Sequence, residues 1–125
     1  MSESALSDEQ LTYRINGCVY EVYRQLGHGF LEKVYENALA CELALAGLRV
    51  EAQKPLAVYY KGAPVGDYQI DLLVEGRVLL ELKAQEKLHP AHEAQLLNYL
   101  RASGVRIGLL INFAYPKAEI RRFVV

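Results

Sequence analysis

The sequence predicts an α/β or α+β fold in which helices pack on a mixed β-sheet. Three observations carry this prediction. Apolar residues recur at helical spacing over residues 8–46, alternate with a period of two over residues 48–83, and return to helical spacing near residue 90. The chain has 125 residues, of which 52% are hydrophobic, so it is long enough to bury a core without disulfides. We expect a single domain over residues 1–125.

Local signals place three helices. Ser7 to Gln10 reads as a capping box, which begins helix one at residues 8–26, before Gly27. Helix two is predicted at residues 30–46. Its apolar stripe, which we expect to be buried, consists of Leu31, Val34, Ala38, Cys41 and Leu45. Pro90 suits the first turn of helix three, at residues 90–102.

The remaining segments are predicted strands. Two short strands, residues 48–52 and 56–60, are separated by Pro55. Longer strands follow at residues 65–74, 78–83 and 106–113, and residues 120–125 add a short edge strand. Apart from that edge strand, the predicted order is α-α-β-β-β-β-α-β.

The strands at residues 65–74 and 78–83 predict their own register. Their apolar residues all have even numbers: Ile70, Leu72, Val74, Val78, Leu80 and Leu82. Burying all six on one face requires partners whose numbers sum to an even value, and therefore a three-residue loop or a bulge near Gly76. That register places Asp71, Glu81 and Lys83 together on the opposite face.

Two carboxylates beside an ammonium group suit a hard cation such as Mg²⁺ and the hydrolysis of phosphodiesters. A structural Lys–Glu pair on a solvated strand face is the alternative interpretation. Glu32 opens helix two, where an acid also complements the helix dipole. Gln95 and Tyr99 lie one turn apart on helix three, which is equally compatible with a plain polar face.

In combination these residues resemble a known family. Gly29-x-x-Glu32-x-x-Tyr35 is the signature of the GxxExxY proteins, which are placed in the PD-(D/E)XK nuclease superfamily. The resemblance spans about residues 10–123 and continues through Tyr60-Lys61-Gly62, Asp71, Glu81-Leu82-Lys83-Ala84, Gln95-Leu96-Leu97-Asn98-Tyr99-Leu100 and Ile111-Asn112-Phe113. It implies a restriction-endonuclease-like sandwich with the core order α-β-β-β-α-β and an extra N-terminal helix.

The resemblance also implies roles for individual residues. Asp71 and Glu81 would bind Mg²⁺, or Mn²⁺ as a substitute, with the Leu82 carbonyl as a further ligand. Lys83 would be the catalytic lysine, and Glu32 the metal-site acid supplied by the preceding helix. Gln95 and Tyr99 would lie beside the site on the following helix. The "PD" of the superfamily name is Ile70-Asp71 in this chain.

We therefore expect a Mg²⁺-dependent endonuclease acting on DNA, with RNA as the alternative substrate. The net charge of −1, from 14 basic and 15 acidic residues, gives no support for a nucleic-acid partner, although a local basic strip can suffice. A homodimer or a partner protein would then supply specificity. Two other functions stay open: a non-catalytic nucleic-acid-binding or protein-interaction module that keeps the fold, and a small-molecule phosphate hydrolase.

The sequence shows neither of the patterns that would direct the protein to a membrane or out of the cell. No apolar run reaches the ~18 residues of a membrane span, and the first ten residues show no signal-peptide pattern. Two cysteines are too few for a disulfide framework. We expect a cytoplasmic protein with no membrane partner.

Overall fold

The computed structural model describes residues 6–125, so residues 1–5 of the predicted domain lie outside the described part. Within residues 6–125, five strands form one mixed sheet in the order β1-β2-β3-β4-β5, in which β3 and β4 pair in parallel and the other neighbours pair antiparallel. The predicted fold class is confirmed. The elements are α1 (Asp8–Leu26), α2 (Glu32–Leu45), β1 (Val50–Tyr60), β2 (Ala63–Val74), β3 (Val78–Lys83), α3 (Pro90–Ser103), β4 (Ile107–Phe113) and β5 (Ala118–Val124).

Helices cover both faces of the sheet. One face packs against α1 and α2 through a cluster that includes Leu72, Leu80 and Leu82. The other face packs against α3 through Leu79 and Leu110. Because β3 and β4 are buried on both faces, their sequences are nearly continuous apolar runs. The helix α3 is the crossover that joins these two parallel strands.

The helix ends follow their local signals. The Ser7 backbone N–H donates to Gln10 Oε1 at 2.9 Å, and Ser7 Oγ accepts from the Gln10 N–H at 3.1 Å, so the predicted capping box is present. Both predicted bounds of α1 are confirmed. Helix α3 begins at Pro90 as predicted, with the His89 side chain accepting a hydrogen bond from the Ala91 N–H. Among residues 6–125, no helix is long and apolar enough to cross a membrane.

The buried face of α2 differs from the prediction. Leu31 and Leu45 are 79% and 76% exposed, and the helix instead buries Tyr35, Leu39 and Leu43. The reason is an aromatic anchor. The Tyr35 ring stacks on Phe113 with centroids 4.4 Å apart, and its hydroxyl donates to the Gly27 carbonyl at 2.6 Å. These contacts fix the rotation of the helix about its own axis.

Pro55 does not divide the first strand, so the prediction of two short strands is wrong. Residues Val50–Tyr60 form one strand, β1, at the edge of the sheet, where a missing backbone N–H is tolerated. The observed order is α-α-β-β-β-α-β-β, which contains the implied α-β-β-β-α-β core. The predicted C-terminal edge strand is present as β5.

The predicted register of β2 and β3 is confirmed. The strands pair through Leu72 with Leu80, Leu73 with Leu79 and Val74 with Val78, and a three-residue loop joins them. Gly76 has a φ of 63° and the preceding Glu75 a φ of 54° in this loop. Glu75 is held there by its carboxylate, which accepts a hydrogen bond from the Arg49 N–H at 2.6 Å.

The position of Ile70 was predicted wrongly. It packs with Leu56 and Leu79 on the α3 side, not with Leu72 on the opposite side. The facing of β2 therefore changes between Ile70 and Leu72, at Asp71. In β1 the residue opposite Asp71 is Gln53, whose φ of 52° interrupts regular strand geometry.

Candidate active site

The candidate site lies where β2 and β3 separate. Their backbone pairing ends at Leu72 and Leu80, and the next pair in the same register is Asp71 with Glu81. Beyond Leu72 and Leu80, the two strands are joined by hydrogen bonds to side chains instead of backbone-to-backbone hydrogen bonds. Asp71 Oδ2 accepts a hydrogen bond from the Leu82 N–H at 2.9 Å, and the Asp71 N–H points to Glu81 Oε1 at 3.4 Å. The two carboxylates are therefore neighbours, as the register predicts.

Burial raises the pKa values of both acids of this pair. Glu81 is only 5% exposed, and burial raises its pKa to about 8, with smaller contributions from the charges of Asp71 and Glu32. Burial also raises the pKa of Asp71 and that of Glu32. The Lys83 ammonium acts in the opposite direction on all three acids. A cation placed between Asp71 and Glu81 would relieve both the burial and the repulsion.

Helix α2 packs on the face of the sheet opposite to α3, and it places Glu32 near the site. Glu32 is the first residue of α2, and its pKa responds to the charges of Lys83 and Asp71. Glu32 is therefore near enough to the acidic pair for their charges to affect one another. Within residues 6–125, however, no three Asp, Glu, His or Cys side chains form a group that could hold a metal. Metal binding by Glu32 together with both strand acids therefore stays a prediction.

Helix α3 supplies the polar groups on the other side. Gln95 Nε2 donates to Tyr99 Oη at 2.8 Å, which leaves the Tyr99 hydroxyl proton available to another acceptor. Burial raises the pKa of Tyr99, and the Glu81 charge adds to the shift. Tyr99 thus lies close to the acidic pair and remains a hydrogen-bond donor at neutral pH. The His92 pKa is lowered, first by burial and then by the charge of Lys83.

Two further residues at the site are not among those that the sequence predicts. Glu36 is buried one turn after Glu32 and accepts hydrogen bonds from Lys33 and, at 2.6 Å, from Gln53 Nε2. The Gln53 amide also lies close enough to Asp71 to offset part of the burial effect on the pKa of that carboxyl. The i, i+4 spacing of the two glutamates was a usable signal. Nothing local in the sequence indicated the left-handed backbone of Gln53.

Asn112 orders the segment that leaves the site. It is buried on β4 beside Lys83, the last residue of β3. Its amide accepts a hydrogen bond from the Gln85 N–H and donates one to the Gln85 carbonyl, both at 2.9 Å. These two bonds fix the chain immediately after Lys83.

The family follows from the whole sequence. Residues 9–123 match the PD-(D/E)XK nuclease superfamily, and the chain belongs to that superfamily. The superfamily name describes an Asp followed further along the chain by Asp or Glu, any residue and Lys, and Asp71 with Glu81-Leu82-Lys83 has this order of residue types. Membership supports a nuclease activity, and members generally use divalent metal ions.

One solved structure has the same fold. It is an alkaline exonuclease from Laribacter hongkongensis, which is 13% identical in sequence and superposes with a TM-score of 0.53. The match covers 99% of this chain and 72% of the exonuclease. At this identity the similarity concerns the fold alone. No curated protein sequence matches the chain.

The donor atoms of the site fit a hard divalent cation. Mg²⁺ prefers oxygen ligands, is bound by one or two carboxylates, and takes its remaining ligands from water and substrate phosphates. Asp71 and Glu81 supply two such carboxylates, which accounts for a site without a third acidic ligand among the described residues. Mg²⁺ affinity would depend on pH, because Glu81 must lose its proton before it can bind a cation.

Proposed function

We propose that this protein is a Mg²⁺-dependent nuclease that hydrolyses phosphodiester bonds within DNA. The observation that carries the proposal is the meeting of Asp71 and Glu81 where β2 and β3 separate, with Lys83 two residues further along β3. Within the superfamily we assign the chain to the GxxExxY group, on Gly29, Glu32 and Tyr35. Its two cysteines, one of them exposed, suit the reducing cytoplasm.

The acids and the lysine would have different roles in hydrolysis. Asp71, Glu81 and the Leu82 carbonyl would hold the ion, with Mn²⁺ as a substitute. When bound, the ion would act as a Lewis acid on the phosphate and lower the pKa of water. Lys83 would orient the attacking water and stabilise the negative charge that develops on the phosphate. Glu32 would act through water, since it does not join a three-acid group among the described residues.

Gln95 and Tyr99 would orient the substrate. The Tyr99 hydroxyl keeps its proton and can donate it to a phosphate oxygen. Gln95 fixes the position of that hydroxyl through the 2.8 Å hydrogen bond. Both residues would therefore act on the same phosphate as Lys83, from the side of the sheet that α3 covers.

Metal binding and cleavage test this proposal together. Mg²⁺ or Mn²⁺ is titrated by calorimetry into the wild type, Asp71→Asn and Asp67→Asn, and each protein is assayed on supercoiled, linear and single-stranded DNA and on RNA. The amide introduced by Asp71→Asn can still accept the Leu82 hydrogen bond, and Asp67 is an exposed carboxylate on the same strand. We expect Asp71→Asn to lose metal binding and cleavage, and Asp67→Asn to keep both.

Two other results would redirect the assignment. Cleavage that survives in Asp71→Asn would come from another site or from a contaminant. Nucleic-acid binding by the wild type without cleavage of any substrate would favour the non-catalytic binding module. The oligomeric state, measured in the same preparations, tests the proposed homodimer or partner as the source of specificity.

A further inference from the structure

A cavity lies beside the candidate site, between α3 and the outer half of the β1–β2 hairpin. Its volume is about 730 Å³, within the roughly 300–1,000 Å³ range typical of small-ligand sites. Its walls include Val58, Tyr68, His92, Gln95, Asn98 and Tyr99. Three alanines of α3 also line it, and their small side chains leave the space between helix and hairpin open.

The cavity and the acidic site share residues. Gln95 and Tyr99 line the cavity, and Tyr99 is also close enough to Glu81 for that charge to raise its pKa. His92 also lines the cavity, and the charge of Lys83 contributes to lowering the pKa of His92. A phosphate bound at the acidic pair would therefore carry one of its neighbouring nucleosides to the mouth of this cavity.

Tyr68 provides an aromatic surface at the opening. Its ring is 5.4 Å from that of Tyr99 and inclined to it by 50°. Tyr68 is 47% exposed, so much of its ring is uncovered. Gly66 allows this placement, because a Cβ at residue 66 would come within 3.1 Å of Tyr68 Cε2. Any side chain at residue 66 would press on the ring.

The polar groups of the cavity suit the edge of a base. Gln95 and Asn98 carry amides that can donate and accept hydrogen bonds. Arg101 also lines the cavity, and its guanidinium donates to Asn98 Oδ1 at 3.3 Å. Among the described residues that form the lining, none carries a carboxylate. An aromatic surface, two amides and no fixed negative charge favour a nucleobase over a cation.

We propose that this cavity binds one unpaired nucleobase of the strand that is being cut, stacked on Tyr68. The proposal rests on the nuclease function above and specifies its substrate class. Bases inside a duplex are paired and stacked, so a base enters a cavity at the lowest cost from a single strand, a flap or a frayed end, where no base pair has to be broken. The preferred substrates are therefore strands with an unpaired nucleotide next to the scissile phosphate.

Binding without turnover tests the cavity directly. A single-stranded DNA carrying 2-aminopurine is titrated with protein in EDTA at low salt, and its fluorescence gives both the dissociation constant and the stacking signal. Tyr68→Ala should weaken binding roughly 5- to 100-fold and abolish the quenching of the base, since one stacked base contributes this much. Tyr68→Phe keeps the ring and should bind like the wild type.

Two controls make the test specific. Tyr59→Ala removes an exposed tyrosine from β1 that does not line the cavity, and should leave binding unchanged. A covalently closed duplex should bind more weakly than the single strand and should not respond to Tyr68→Ala. Gly66→Ala should reduce quenching by displacing the Tyr68 ring, and circular dichroism checks that each variant is folded.

The outcomes separate this inference from the nuclease proposal. Equal binding of the single strand by the wild type and Tyr68→Ala would overturn the cavity assignment, as would tighter binding of the closed duplex. Asp71-dependent cleavage that is unaffected by Tyr68→Ala would support the nuclease proposal and contradict only the base-binding role of the cavity. Tyr68-dependent binding and quenching in a protein that cleaves no substrate would contradict the nuclease proposal and support the base-binding role of the cavity.

Discussion

Glu81 couples folding to pH, because it is a buried carboxylic acid that keeps its proton in the folded, metal-free protein. Its pKa rises from the usual 4.5 to about 8 on folding, and those of Asp71 and Glu32 move in the same direction. Between these pH values the folded protein binds more protons than the unfolded chain. The free energy of unfolding must therefore fall as pH rises across this window.

Denaturation in EDTA at pH 5, 6.5 and 8 measures this dependence. The wild type should lose stability with pH at a slope of up to ~1.4 kcal/mol per pH unit for a single proton. Glu81→Gln carries no titrating group at residue 81 and should flatten most of the slope. Saturating Mg²⁺ should stabilise the wild type more at pH 8 than at pH 5. A stability that rises with pH in EDTA would contradict the buried, protonated acid.

A Lys83 variant is expected to separate catalysis from metal binding. Removing its ammonium should lower cleavage about 10²- to 10³-fold, the usual cost of losing one group that stabilises developing charge. Its ammonium also neutralises the acids and repels a cation beside them, so Lys83→Ala should leave Mg²⁺ binding, measured by calorimetry at pH 8, unchanged or stronger. Lys87→Ala removes a lysine from the loop that follows β3 and serves as the control.

A merely structural role for Lys83 predicts a different pattern. An exposed ion pair contributes only ~0–1 kcal/mol to stability, and cleavage would then be equal in Lys83→Ala and the wild type. Loss of Mg²⁺ binding together with cleavage would instead mean that the lysine shapes the acidic site.

At the scale of elements, Gln53 connects α2, β1 and β2. Its amide donates to Glu36 at 2.6 Å and also lowers the pKa of Asp71, so it lies between a buried and a half-buried acid. Gln53→Ala would leave both carboxylates without this donor. We expect a loss of ~1–3 kcal/mol in the free energy of unfolding at pH 7, and weaker Mg²⁺ binding.

Glu51→Ala is the matched control for Gln53→Ala. It truncates an exposed residue of the same strand whose ion pair with Lys54 has little energetic weight. Urea denaturation of both variants compares them directly. Equal stabilities would show that water replaces the Gln53 amide without cost, and the link between α2 and the strands would then lie elsewhere.

The same elements show what the sequence could and could not predict. The bounds of α1 depend on the Ser7 cap and Gly27, which are local signals, and they were predicted correctly. The β2–β3 register depends on a short-range apolar pattern, and that pattern alone was enough to predict that Asp71 and Glu81 are neighbours. Lys83, Gln95 and Tyr99 lie around the same point, although their catalytic roles remain predictions.

The predictions that were wrong concern features that depend on contacts between residues far apart in the sequence. The rotation of α2 is set by Tyr35 against Phe113, which lies 78 positions further along the chain. Ile70 faces α3 because β2 changes its facing opposite Gln53, a residue whose unusual φ has no local sequence signal. Pro55 is tolerated because β1 is an edge strand, which depends on the topology of the whole sheet.

At the scale of the whole molecule, the site exists because two helical layers meet at one end of the sheet. Glu32 comes from the α1–α2 layer, and Gln95 and Tyr99 come from α3 on the opposite face. Asp71 and Glu81 lie between them, where the backbone ladder stops. The distance of α3 from the sheet therefore decides whether Tyr99 can act on a phosphate held by the strand acids.

Gly108 on β4 sets that distance, and its substitution is the test. A Cβ at residue 108 would come within 2.9 Å of Leu96 Cδ1 and 3.1 Å of Leu100 Cδ1. Gly108→Val should therefore push α3 outwards, lower the free energy of unfolding by ~1–3 kcal/mol and reduce cleavage, although it changes no site residue. Gly17→Ala, in an open position of α1, should raise stability by ~0.5–1 kcal/mol and leave cleavage unchanged. Wild-type cleavage by Gly108→Val in a folded state would mean that the Gln95–Tyr99 pair works without this close packing.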